Sequence, residues 1–195
     1  MKHVYNEILL GDMKAVYVQD EETGSMELVL LPEDACYEPA YKEKPYPDSM
    51  IQVKLVGDAY QGAYAGGRTL RESASVEALS FDSQQVEQQG GKTQVRTVFR
   101  DERGYIYRHI LTWQDKNQSL FSHTVFENHS TQEAELELLS SFSIGGISPF
   151  VSSEEWGQIR VHRIRSVWSR EGRPESQLLE ELQLEPPWGG HAVRS

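Results

Sequence analysis

Apolar and polar residues alternate with a period of two along much of this chain. The clearest run is residues 105–113. Tyr105, Tyr107, His109, Leu111 and Trp113 fall on one face, with Ile106, Arg108, Ile110 and Thr112 on the other. Successive side chains of an extended strand point to opposite faces, so this spacing predicts a strand with one buried side. Val95, Thr97 and Phe99 alternate with Gln94, Arg96 and Arg100 in the same way, and Leu120 to Phe126 is a further strand. Glu133, Glu135 and Glu137 interleave with Ala134, Leu136 and Leu138, which predicts an acidic outer face and an apolar inner one. The earlier runs Tyr5 to Leu10, Ala15 to Val18 and Met26 to Leu31 are mostly apolar, and Ile51, Val53 and Leu55 alternate with Gln52 and Lys54. Val76 to Phe81 and Gln84 to Gln89 complete the expected strands.

Turn chemistry punctuates these runs. Asp20-Glu21-Glu22-Thr23-Gly24, Gly90-Gly91 and Asp101-Glu102-Arg103-Gly104 read as hairpin connections. Asn117-Gln118-Ser119 and Asn128-His129-Ser130 fit the glycosylation sequon but read here as turns. The segment 32–50 carries Pro32, Pro39, Pro45 and Pro47 with Tyr37, Tyr41 and Tyr46 between them. Proline lacks a backbone donor, so this segment predicts an ordered crossing loop. No helix is expected before residue 150. Ser176 to Leu184 has Leu178, Leu179 and Leu182 at helical spacing and reads as a helix. The expected fold is all-β, a large antiparallel two-sheet sandwich with few short helices, as a single domain over residues 1–195.

Composition narrows the function. The net charge of −11 opposes nucleic-acid binding, which needs a basic surface, and leaves a neutral ligand such as a sugar open. One cysteine, Cys36, cannot form an internal disulfide, which fits a cytoplasmic protein. No run reaches the ~20 apolar residues of a membrane helix, and no secretory leader is evident.

Catalytic signatures are missing. The six histidines show no HExxH spacing, and no CxxC, GxSxG or phosphate-binding loop occurs, so the sequence calls for no metal and no cofactor. Paired acid–base catalysis needs two carboxylates in unlike environments across a cleft. The same-face Glu133, Glu135 and Glu137 and the adjacent Glu154-Glu155 read as solvated surface. The richest local candidate is residues 57–73, GDAYQGAYAGGRTLRES. Its glycines let backbone approach a partner closely, Tyr60 and Tyr64 offer flat faces with hydroxyls, and Arg68 offers a rigid fork of donors. Without a ligand, the same segment reads as a glycine-rich connection with arginines in surface ion pairs. Arg160, Arg163, Arg165, Arg170 and Arg173 form a basic island beside Trp156 and Trp168, suited to packing on an acidic domain.

The runs NHSTQEAELELLSSFSIGGISPF, VHRIRSVWSREGR and LLEELQLEPPW, with GDAYQGAYAGGRTLRES before them, resemble the N-terminal domain of family 36 glycoside hydrolases, the bacterial α-galactosidases. The resemblance implies a β-supersandwich packed beside a (β/α)8 barrel of the same polypeptide. It implies catalytic aspartates on that barrel, so no catalytic residue in this chain. It further implies a homo-oligomer, an α-galactoside substrate, and Arg68, Tyr60 and Tyr64 as substrate-binding residues. On this reading the chain is an N-terminal piece of a longer enzyme. A stand-alone carbohydrate-binding module and a purely structural docking domain are the rival readings.

Overall fold

The computed structural model describes residues 2–37, 47–59, 73–145, 157, 159–166, 168–169 and 171–182. These residues are nearly all β. In chain order the elements are β1 (Lys2–Leu10), β2 (Met13–Asp20), β3 (Met26–Pro32), β4 (Val53–Leu55), α1 (Ala74–Glu77), β5 (Ser80–Gln89), β6 (Lys92–Arg100), β7 (Tyr105–Gln114), β8 (Ser119–Asn128), β9 (Leu136–Leu139), β10 (Arg160–Arg165) and β11 (Arg173–Leu178). All strand pairs are antiparallel, in a β1-β2-β3 meander, a β5-β6-β7-β8 meander and the pairs β4-β9 and β10-β11. The chain divides into two compact units; β1 to β9 lie in the first, and β10 and β11 in the second.

In the first unit the two meanders share one core. Ile8, Leu10, Ala15, Tyr17, Met26 and Leu28 from the first sheet join Val95, Phe99, Tyr105, Tyr107, Leu111 and Trp113 from the second. Met50, Ile51, Val53, Leu55, Val76 and Leu79 complete the cluster. Each large apolar side chain buried this way contributes about 1.5–3 kcal/mol. The inward face of β7 is the one its alternation predicts, and all five of its residues are buried. The first sheet is also buried on its other face, where Val16, Val18, Val29 and Leu31 cluster with Val4, Ala35 and Tyr37. Strands covered on both sides read as continuous apolar runs, which is the pattern of residues 15–18 of β2 and 28–31 of β3.

Register organises the inner face of the second sheet into rows. Phe81, Phe99, Tyr107 and Phe126 lie opposite one another across its strands, with Phe81–Phe99 centroids 6.1 Å apart and Tyr107–Phe126 5.2 Å apart. The next row is polar: Gln84, Thr97, His109 and Thr124. Gln84 Nε2 donates to Thr97 Oγ1 at 3.0 Å. Ser122 Oγ donates to the Ser141 carbonyl at 2.6 Å, so at 2.8 Å it accepts from His109 Nε2–H. That assignment leaves His109 Nδ1 buried without a hydrogen-bond partner.

Three expectations are corrected. Residues 76–79 are not strand: α1 occupies Ala74–Glu77 and β5 starts at Ser80. The Ser73 hydroxyl accepts from Val76 N–H at 3.2 Å, and this N-cap turns the chain into a helical turn that buries Val76. Ser176 to Leu184 is not helix over its described part. Its start pairs with β10, where the strand ladder satisfies backbone groups that an isolated nine-residue helix would bury poorly. One helical bond survives beyond it, from Leu182 N–H to the Leu178 carbonyl. The alternation over 133–138 is broken by a bulge. A register shift between Lys54 and Leu55 pairs Leu138 with Lys54, and Leu139 with the buried Val53, so Leu139 and Ala134 pack on the core.

Two glycines are required by close approach. A side chain on Gly11 (φ +71) would meet the Trp113 ring at 2.5 Å, and one on Gly145 would fall on the Glu27 carboxylate. Gly11→Ala should therefore cost about 2 kcal/mol, from left-handed strain plus overpacking, measured by urea unfolding. Burial, with His123 adding repulsion, lowers the His109 pKa from 6.5 to about 4. A lowered histidine pKa makes the unfolded chain bind more protons, so stability is lost as pH falls from 6.5 toward 4. This term should remove up to about 3 kcal/mol, and His109→Gln should flatten the slope in that window.

Candidate functional site

The candidate substrate residues Tyr60, Tyr64 and Arg68 lie outside the described residues. What the structure does describe is the base from which their segment departs and to which it returns. Ala74 N–H donates to the Ala59 carbonyl at 2.9 Å, joining the described residues on either side of 60–72 in a neck. On the incoming side, Asp58 Oδ2 accepts from Leu55 N–H at 2.8 Å, and Asp58 N–H donates to the Leu55 carbonyl at 3.1 Å. Gly57 makes this turn with φ +91, a conformation that favours glycine. On the outgoing side, the Ser73 hydroxyl donates to the Val53 carbonyl, tying the start of α1 to β4. Val56 N–H donates to the Glu135 carbonyl at 3.0 Å, which fixes the end of β4 against the approach to β9.

A clasp holds the two sides together. It comes from the β6–β7 hairpin, far away in sequence. Arg103 reaches over with Nε donating to Asp101 Oδ2 at 2.7 Å and Nη2 donating to Ser75 Oγ at 2.9 Å. Its Nη1 lies 3.9 Å from Asp58 Oδ1. The guanidinium carbon sits 5.0 Å from the Tyr105 ring centre, stacked on the aromatic face. The Asp101 carboxylate is fully buried, and its Oδ1 accepts from Arg103 N–H at 2.6 Å. One arginine, braced by Asp101 of its own hairpin, therefore reaches Asp58 before the neck and Ser75 in the first turn of α1. The hydrogen bonds from Arg103 to Asp101 raise the arginine pKa further, so the clasp stays charged. Burial, followed by the Asp101 charge, also raises the pKa of Tyr107, whose hydroxyl is buried with no hydrogen-bond partner.

This cluster is a structural brace: Arg103 donates to Asp101 and to Ser75 and lies within ion-pair distance of Asp58. Elsewhere Asp82 is lowered by its hydrogen bond from Arg100, and Glu180 by the Gly157 N–H. Of the acidic stripe, Glu137 pairs with Lys54 at 2.6 Å, while Glu133 and Glu135 are exposed. Among the described residues no three His, Cys, Asp or Glu side chains come together as metal ligands.

In the second unit, Arg163 and Arg165 share one face of β10, as their spacing predicts. Both meet Glu175 of β11, at 3.8 Å and 2.8 Å. Trp168, in the loop between these strands, is 93% exposed. Glu154, Glu155 and Trp156 lie outside the described residues.

No protein-family profile matches the chain, and no curated protein or solved structure matches it. The clasp residues Asp58, Ser75, Asp101 and Arg103 were missed by sequence reasoning, because they are distant in the chain. The one local signal was the Asp-x-Arg-Gly turn, whose aspartate bonds the backbone two residues on.

If the clasp fixes the neck, Asp101→Ala should cost about 3 kcal/mol, since it leaves a cation beside buried groups. Arg103 is partly exposed, so Arg103→Ala should cost less, about 1–2 kcal/mol. Chemical denaturation of both variants measures the order.

Proposed function

We propose that this chain is the non-catalytic N-terminal domain of an α-galactosidase-like glycoside hydrolase. It packs on a (β/α)8 catalytic barrel of the same cytoplasmic polypeptide and contributes oligomer and substrate-access contacts. The observation that carries the reading is the clasped neck. It fixes Ala59 and Ala74, which flank a sequence rich in glycine, tyrosine and arginine. A loop that must place Arg68, Tyr60 and Tyr64 against a sugar needs such a base, because misplacement by an ångström is costly. The all-β sandwich is the architecture that the resemblance implies.

The division of labour follows from the chemistry. Glycoside hydrolysis uses two carboxyl groups flanking the scissile bond, one of them held protonated. The barrel supplies them in this account, and this domain supplies orientation. Arg68 would donate a charge-assisted hydrogen bond to a sugar hydroxyl, and the tyrosine rings would face the sugar's apolar side. No cofactor takes part.

The exposed Trp168 favours a second reading, a carbohydrate-binding module that holds sugar on its own. That reading expects α-galactosides to shift the tryptophan fluorescence of the isolated chain, and expects Trp168→Ala to abolish the shift.

Two outcomes test the proposal. The purified chain should not hydrolyse an aryl α-galactoside; turnover that is lost on mutating one of its own glutamates would sink it. In the full-length enzyme, Arg68→Ala should lower kcat/KM by roughly tenfold to a hundredfold without changing Tm, the loss of one charged hydrogen bond of about 1.5–3 kcal/mol. Unchanged kcat/KM would make Arg68 a surface residue.

A further inference from the structure

The sandwich of the first unit is closed along one side and open along the other. On the closed side, Met50 and Gly145 N–H donate to the Met26 and Leu28 carbonyls of β3, at 2.9 Å each. There the Ser122 and Thr124 hydroxyls of β8 donate to the Ser141 and Ser140 carbonyls, so residues 140–145 run from β8 to the edge of β3. On the open side lie β1 and β5. Among the described residues, β1 pairs only with β2, and β5 only with β6.

The two open edges touch at one end. The Tyr5 and Phe81 rings meet edge to face at 4.8 Å, and Asn6 Nδ2 donates to Gln84 Oε1 at 2.8 Å. Past that contact a groove of about 560 Å³ opens, lined by Asn6, Glu7, Ile8, Leu9, Val86 and Gln88. Of its apolar members Ile8 is buried, whereas Leu9 and Val86 are 58% and 41% exposed. The Phe81 N–H is already taken by the Gly24 carbonyl, and the bulge of β5 lies between Phe81 and Ser83. Among the described residues the free edge is therefore Ser83 to Gln89, a regular run in register with β6.

Exposed edges in native sheets are normally guarded by lysine, proline, a bulge or short length, because unpaired backbone groups template another strand. The run Ser83-Gln84-Gln85-Val86-Glu87-Gln88-Gln89 has none of these guards and a single charge. We propose that this edge pairs antiparallel with the same edge of a second copy of the chain, about a two-fold axis at Val86. Two four-stranded sheets then become one sheet of eight. The occupant is a second copy because the run complements itself. The axis at Val86 sets Val86 against the partner's Val86, Gln84 against the partner's Gln88, and Glu87 against the partner's Gln85. No carboxylate faces another, whereas an axis one residue further on would oppose the two Glu87 side chains, which is destabilising. A two-fold axis normal to the sheet keeps both inner faces on one side and covers the exposed Val86.

This deepens the oligomer part of the proposed function by naming its surface. Its assay contains no sugar, so its failure and the failure of the carbohydrate reading are separate results. Sedimentation velocity of the chain should show a dimer forming with Kd on the order of tens of micromolar, as a small interface allows. Each copy carries −11, so added salt should tighten the dimer by screening repulsion. Val86→Lys, checked for folding by circular dichroism, should weaken the dimer at least tenfold. A monomer at the highest concentration reached, a dimer that survives Val86→Lys, or one that salt dissolves would overturn the proposal. The last outcome would point to the arginine-rich β10–β11 hairpin on an acidic surface. Should Val86→Lys misfold, hydrogen exchange of the unaltered chain decides: amides of residues 83–89 must slow as concentration rises, and unchanged rates there refute the pairing.

Discussion

Everything in the first unit depends on burying two unlike sheets against each other. The β1–β3 meander is covered on both faces, and the β5–β8 meander packs only its inner face on the shared core. The core takes in β4 and α1 as well, through Val53, Leu55, Val76 and Leu79. The consequence for function is direct. The chain leaves the core at β4 and re-enters it at α1, so both ends of residues 60–72 are anchored in the same interior. Hydrophobic burial fixes the two anchors, and the Arg103 clasp fixes their separation. Burial is non-directional, whereas a guanidinium fork is not, so the two contributions differ in kind.

The interior also carries polar groups that need specific partners. The Gln84, Thr97, His109 and Thr124 row crosses all four strands, with Ser122 passing a hydrogen bond on to the Ser141 carbonyl. Fully satisfied networks specify one arrangement, and partly satisfied ones cost stability. His109 stands between these cases, bonded at Nε2 and unpartnered at Nδ1. Its lowered pKa makes the sheet sensitive to acid.

Strands with one wet face were the most legible part of the sequence. For β6 and β7, alternation gave both the element and its buried side. For β2 and β3 the apolar runs marked the elements, and their burial on both faces emerged only from the structure. Residues 76–79 misled because Val76 and Leu79 are apolar in either conformation, and the Ser73 cap decides between them. The alternation of 133–138 misled because a bulge changes which side chains face inward, and a bulge leaves no mark on the apolar pattern. Leu178, Leu179 and Leu182 have helical spacing, yet pairing with β10 claims the first of them. At the candidate site, composition pointed to the segment 57–73. The clasp beneath it joins residues 58, 75, 101 and 103, and no local pattern could connect them.

The account stands on the neck being a rigid base, and the Ala74 amide reports on it directly. Its hydrogen bond to the Ala59 carbonyl is the one that closes the segment. Native-state hydrogen exchange should find this amide protected to within about 1–2 kcal/mol of global unfolding, with that protection falling selectively in Arg103→Ala. If Ala74 exchanges at the rate of an unstructured amide while β6 and β7 remain protected, the neck is open, and the segment has no fixed base from which to meet a sugar.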